Sequence, residues 1–189
     1  GSLRDKLKIF QLNLRLKDTK ISTLFDKKEI TTLSYLQRLG FSSNVINQFF
    51  KPFFSGIFLE PHLHTSSRMF EFIYKMFSEG FATIPKAGIG AIATQLGDQL
   101  KTTEIQLNNK VQKLTNDVIT IASGDERPYD VCIVAAEPST FLEGYVATNT
   151  WKKCDTLYFI VPHTDIKSPL IHLSALSDSL INNIFYSTS

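Results

Sequence analysis

The stretch Phe49–Phe81, FFKPFFSGIFLEPHLHTSSRMFEFIYKMFSEGF, constrains the fold of this chain more than any other. Its 33 residues hold nine of the fifteen phenylalanines, Tyr74 and both methionines. So much aromatic surface has to leave water, either inside an unusually aromatic core or along the wall of a pocket for a large apolar ligand. Packing is the commoner fate of aromatic side chains, and the pattern alone leaves both readings open.

A chain of 189 residues that is 43% hydrophobic can bury one good core, or one core and part of another. A net charge of +2 carries no signature of nucleic-acid binding. The first 28 residues are locally basic, with Arg4, Lys6, Lys8, Arg15, Lys17, Lys20, Lys27 and Lys28 against Asp5, Asp18 and Asp26. This reads as a solvated helix face, with peripheral contact to a membrane surface as the alternative. Cys132 and Cys154 are too few for a disulfide framework and lack metal-site spacing, and Cys132, in the run VCIVAA, reads as a small buried hydrophobe. No apolar run approaches the ~20 residues that span a bilayer, and no signal peptide is recognised. Gly1-Ser2 reads as a remnant of cloning. The expected compartment is the reducing cytoplasm.

Taken in order, Leu3, Leu7, Phe10 and Leu14 recur at helical spacing and predict an amphipathic helix over Leu3–Lys17, with Ile9, Leu12 and Leu16 widening its stripe. A linker follows through Asp18–Lys20. Thr31 or Thr32 can cap a second helix carrying Leu33, Leu36 and Leu39, which Gly40 stops, with Phe41 as the hydrophobic residue after the stop. Ser42 or Ser43 opens a third helix with Val45, Ile46, Phe49 and Phe50 inward, and Pro52 is expected to disrupt it. Ser55-Gly56 reads as a bend, and Glu60-Pro61 as an extended link. Thr65-Ser66-Ser67 offers caps for a helix Arg68–Ser78 that Gly80 ends, so apolar around its circumference that it should be largely buried.

After Pro85 the period changes. Ala91–Lys101 reads as a helix with Ile92, Leu96 and Leu100 on one face. Strands are predicted at Glu104–Leu107, Lys110–Leu114, Val118–Ala122, Tyr129–Ala136, Thr156–Val161, Leu170–Ser174 and Ile181–Tyr186. Asn116-Asp117 and Ser123-Gly124-Asp125 supply turns, and Pro138–Tyr145 a short helix. Helices first and strands later indicate an α+β fold, or pieces of two intertwined domains.

The candidate chemistry is sparse. Gly88-Ile89-Gly90-Ala91-Ile92-Ala93 matches a dinucleotide fingerprint, but Phe81–Lys86 makes a poor central strand because of Pro85, so a glycine turn at a helix start is the better reading. His62 and His64 could be two metal ligands, yet no third is placed, and loop histidines without a metal are favoured; no metal is expected. There is no nucleophile elbow, no cysteine with a histidine near it in sequence, and no phosphate-binding P-loop. Lys51, Arg68 and Lys75 edge the aromatic stretch, as surface charges or as partners of an acidic substrate group.

The order FFKPFFSGIFLEPHLHTSSRMFEFIYKMFSEG, IPKAGIGAIATQLGDQL, IQLNNKVQKL and YDVCIVAAEP resembles the FAD-dependent flavin-containing amine oxidases, nearest to their phytoene desaturase-like and protoporphyrinogen oxidase-like branch. The resemblance runs from Leu3 toward the C-terminus and is most specific over Phe49–Gly80 and Pro85–Pro138. It implies a helical substrate-domain portion over residues 3–83 and a returning portion of the FAD domain over 84–137, with a helix, strands at Ile105–Leu107 and Asp130–Ala136, and a mixed or antiparallel sheet with a β-meander. Residues 138–189 would supply substrate-domain strands. It places Val111 against the adenine end of FAD, with Ala135, Ala136 and Glu137 where the chain returns beside the cofactor. Phe53, Phe54, Phe58, Met69, Phe70, Ile73 and Phe77 would line the substrate pocket.

The family's N-terminal G-x-G-x-x-G, the acidic residue about twenty positions later and its C-terminal flavin segment have no counterpart here. The resemblance therefore implies a middle fragment, inactive alone, that keeps FAD weakly or not at all. The intact protein would be an FAD-dependent oxidoreductase for a hydrophobic small molecule, with its catalytic residues unassigned. The alternative is a non-catalytic module for a lipid or isoprenoid. Dimerisation through exposed apolar surface is a further expectation.

Overall fold

The computed structural model describes residues 2–146, 148, 150–166, 170–176 and 179–186. The fold is α+β, and the chain divides into two units: Gly1–Thr83 with Lys152–Ser189, and Ile84–Trp151.

In the first unit α1 spans Leu3–Lys17, as its spacing predicts. Ser2 is its N-cap: the Asp5 N–H donates to Ser2 Oγ at 3.1 Å, and the Ser2 N–H donates to Asp5 Oδ2 at 3.1 Å, a reciprocal capping box. The expected single wide stripe is corrected. Leu12 and Leu16 are buried with Asp5, and Ile9 packs beside them, whereas Leu3, Leu7, Phe10 and Leu14 lie exposed. With 3.6 residues per turn, these are two apolar stripes on opposite sides of one helix.

A short helix α2, Ile21–Phe25, follows the linker and was not foreseen. Helix α3, Thr32–Arg38, takes Thr31 as N-cap, its hydroxyl accepting the Ser34 N–H. Thr32 instead turns inward and donates to the Thr65 carbonyl at 2.7 Å. Gly40, at φ +72°, supplies the left-handed stop. The Gly40 N–H donates to Gln37 O at 2.8 Å and the Phe41 N–H to Leu36 O at 3.2 Å, the two bonds of a Schellman motif.

Pro52 does not break the next helix. Helix α4, Ser43–Val45, runs through a π-helical turn, Ile46–Phe50, into α5, Lys51–Phe58. In the widened turn Lys51 N–H donates to Ile46 O, so Pro52, which has no N–H, enters at the first turn of α5, where an absent donor costs little. Phe49 is accordingly exposed, not inward, while Val45, Ile46 and Phe50 are buried. Ser55-Gly56 makes no bend and lies inside α5. A Cβ at Gly56 would fall 2.4 Å from Asn182 Oδ1 and displace that amide, whose Nδ2 donates to the Pro52 carbonyl.

Helix α6, Ser67–Glu79, is capped by Ser66. It is only partly buried, a second correction: Ser67, Phe70, Glu71 and Lys75 face inward, and Met69 and Phe77 are exposed. Its buried charges are fully engaged. Glu71 meets Arg15 at 3.1 Å and Lys27 at 2.6 Å and accepts the Tyr35 hydroxyl. Lys75 donates to the Leu16 and Lys17 carbonyls at 3.0 and 2.7 Å and pairs with Glu79. Farther along, β4 (Ile171–Leu173) and β5 (Asn183–Phe185) form an antiparallel pair.

In the second unit α7 spans Gly90–Gln99 and buries none of its residues, Ile92 and Leu96 included. The expected meander is present: β1 (Val111–Leu114), β2 (Val118–Ile121) and β3 (Glu126–Pro128) pair antiparallel in the order β1-β2-β3. The turns fall where Asn116-Asp117 and Ser123-Gly124-Asp125 predict, with Gly124 at φ +92°. No strand forms at Glu104–Leu107, Tyr129–Ala136 or Thr156–Val161 among the described residues, although the Tyr129 N–H donates to the Asp117 carbonyl at 3.1 Å. Ladder bonds, not alternation alone, make a strand. Pro138–Thr140 is a 3-10 turn.

Asp5 yields a pH prediction. The Ser42 N–H at 3.0 Å and the hydroxyls of Ser2 and Ser42 hold its carboxyl well below the usual carboxylate range. The folded pKa lies under the unfolded one, so this contribution is complete above about pH 4 and is lost as pH falls through the folded value. In denaturant titrations, stability should decline with acid below about pH 4, and Asp5→Asn should flatten that decline while lowering stability at neutral pH.

Candidate functional site

The second unit contains a cavity of about 470 Å³ at the edge of the meander, within the range that small-molecule sites occupy. Its apolar floor includes Val111, Leu114, Ile119 and Phe141. Ala135 and Ala136 form a small-residue wall that leaves main chain within reach, and Glu137 closes it. Val111 reaches the cavity from β1, the edge strand, whose outer side is open to other partners; there the Leu114 N–H donates to the Phe141 carbonyl at 2.9 Å. Glu137 is held as the N-cap of the 3-10 turn, its Oε1 accepting the Ser139 N–H at 3.3 Å.

All four residues expected beside a cofactor therefore line one cavity. Asn109, Lys110, Cys132 and Thr140 also line it and escaped sequence reasoning. Their only signal is adjacency to Val111 and to Ala135–Glu137. Cys132 is corrected from a buried hydrophobe to a partly exposed thiol on the cavity wall. The lining combines apolar side chains, two alanines and the polar Asn109, Lys110, Glu137 and Thr140.

The residues expected to line a substrate pocket divide into two groups. Phe54, Phe58 and Phe70 are buried in the core, where Phe54 packs on Phe50, Phe53, Phe58 and Phe70 at ring-centroid distances of 4.7–6.4 Å. Phe53, Met69, Ile73 and Phe77 lie partly or largely open. Phe49 and Phe53 stack with rings 4° from parallel, and Phe53 meets Phe77 edge-on at 5.4 Å. Phe49 and Ile57 extend this face; a repeat of paired aromatics four residues apart was their sequence signal. The face is apolar and carries no acid, base or nucleophile.

The remaining candidates resolve plainly. Gly88, at φ +83°, turns the chain into α7 with no strand before it, so the fingerprint reading falls and the glycine turn stands. His62 and His64 approach each other with rings 5.4 Å apart, but the described residues contain no group of three or more metal-ligating side chains. Lys75 is consumed in the core and meets no substrate.

Residues 2–153 match the family of flavin-containing amine oxidoreductases, and the chain belongs to that family. Membership implies flavin-dependent oxidoreductase chemistry for the intact protein. No curated protein and no solved structure matches the chain.

The division of the phenylalanines can be measured. Phe54→Ala, at a position 1% exposed, should lower unfolding free energy by about 3–5 kcal/mol. Phe77→Ala, at a position 49% exposed, should cost less than about 1 kcal/mol. Urea unfolding of the two variants decides it, and equal costs would contradict the placement.

Proposed function

We propose that the chain is the substrate-binding portion of an FAD-dependent oxidoreductase of the phytoene desaturase-like and protoporphyrinogen oxidase-like branch, acting on a hydrophobic small molecule. The observation that carries the reading is the convergence of Val111, Ala135, Ala136 and Glu137 on one cavity. Bound FAD would supply the redox chemistry, accepting a hydride from a C–N or C–C bond. The protein's part is binding and orientation. Small side chains at Ala135 and Ala136 let main chain approach an adenine edge, and the apolar floor excludes water from its faces. The open face of Phe49, Phe53, Met69, Ile73 and Phe77 supports a hydrophobic substrate, because a face without charge or hydrogen-bonding side chains selects by shape and apolar area.

Cys132 and Cys154 make the test direct, since one lines the cavity and the other is exposed elsewhere. In the intact protein, bound FAD should slow maleimide alkylation of Cys132 relative to the FAD-stripped form, followed by peptide mass spectrometry, by about tenfold or more while Cys154 reacts unchanged. Ala136→Trp, which fills the cavity, should abolish that protection. Equal alkylation with and without FAD would defeat the assignment, and lipid co-purifying with a chain that FAD does not protect would favour a non-catalytic lipid module.

A further inference from the structure

Helix α1 is amphipathic twice over. Its inner stripe, Asp5, Ile9, Leu12 and Leu16, is held in the first unit's core. Its outer stripe, Leu3, Leu7, Phe10 and Leu14, is 85%, 56%, 58% and 52% exposed. At 100° per residue the outer stripe lies opposite the inner one. Arg4 stands on one shoulder, and Lys6 and Lys17 on the other, all three exposed. The only acid in the helix, Asp5, is turned inward and bound to Ser2 and Ser42. The outward half is therefore an apolar strip between cationic borders with no negative charge.

We propose that this outer face of α1 docks the protein onto an anionic lipid surface, with the helix lying in the plane of the interface. Four large apolar side chains in a row are costly to leave in water, and their flanking cations match anionic headgroups at the depth where a half-sunk helix places them. No described helix is long and apolar enough to cross a membrane, so the contact is peripheral. A second copy is the poorer occupant. Pairing the same face about a two-fold axis would bring the cationic borders Arg4, Lys6 and Lys17 of both copies together, against one exposed acid at the end of the helix, Asp18. This inference stands independently of the cofactor cavity.

The test is co-sedimentation with vesicles of phosphatidylcholine alone and of equimolar phosphatidylcholine and phosphatidylserine. The protein should pellet with the mixed vesicles, remain in solution with phosphatidylcholine alone, and dissociate as salt is raised. L7Q/F10Q should keep its far-UV circular dichroism yet lose affinity about tenfold or more. K6Q/K17Q, which alters no apolar residue, should weaken binding about fivefold per lysine. The proposal is overturned if the unaltered protein ignores the mixed vesicles or if both variants bind as it does. It is also overturned if sedimentation velocity reveals a dimer that L7Q/F10Q dissolves, which would make a second copy the occupant.

Discussion

The helical unit depends on two charges that α6 carries into its interior. Glu71 and Lys75 stand one turn apart on the buried face, where an ion left unpaired would be strongly destabilising. Glu71 gathers Arg15 from α1, Lys27 from the link after α2 and Tyr35 from α3. Burial, followed by the hydrogen bond to Glu71, pushes the Tyr35 phenol well above its ordinary range and keeps it a neutral donor. Lys75 satisfies two carbonyls at the C-terminus of α1, groups that a helix end leaves without intrahelical partners. With Asp5 bound to Ser42 near its other end, α1 is fixed at both ends and cannot roll.

That fixation explains what the sequence could and could not disclose. The limits of α1, the Thr31 cap, the Gly40 stop and the turns of the meander follow from local chemistry, and local pattern finds them. Which apolar stripe of α1 is buried does not, because Leu3/Leu7/Phe10/Leu14 and Ile9/Leu12/Leu16 are equally good by periodicity. Partners at Ser42, Glu71 and Lys75, all distant along the chain, make the choice. The π turn before Pro52 escaped for a related reason: proline rules assume an α-helical register upstream, and the widened turn changes it. The apolar runs at 104–107, 129–136 and 156–161 read as strands because alternation is local, whereas ladder pairing is not.

The candidate site was legible in a different way. Val111 and Ala135–Glu137 carry no catalytic side chain that composition would flag, and only the order of motifs singled them out; the cavity they share supplies the physical ground. The aromatic stretch was legible as important but not as divided. Density cannot separate Phe54 from Phe53, since neighbours in sequence point to different sides of a helix.

The phenylalanine pairs of the segment spanning the π turn and α5 put two tasks on one backbone. Phe50, Phe54 and Phe58 recur every four residues and fill the core, while one position earlier Phe49 and Ile57 are exposed and Phe53 is half-buried. The two sets interleave along the chain and touch where they meet, Phe49 on Phe50 and Phe53 on Phe54 at ring-centroid distances of 5.1 and 5.2 Å. A change on the outer face is therefore felt in the core, and repacking the core shifts the rings that the outer face presents. In such a segment, what the outer face contacts and how firmly the fold holds are coupled traits, carried by rings that adjacent codons encode.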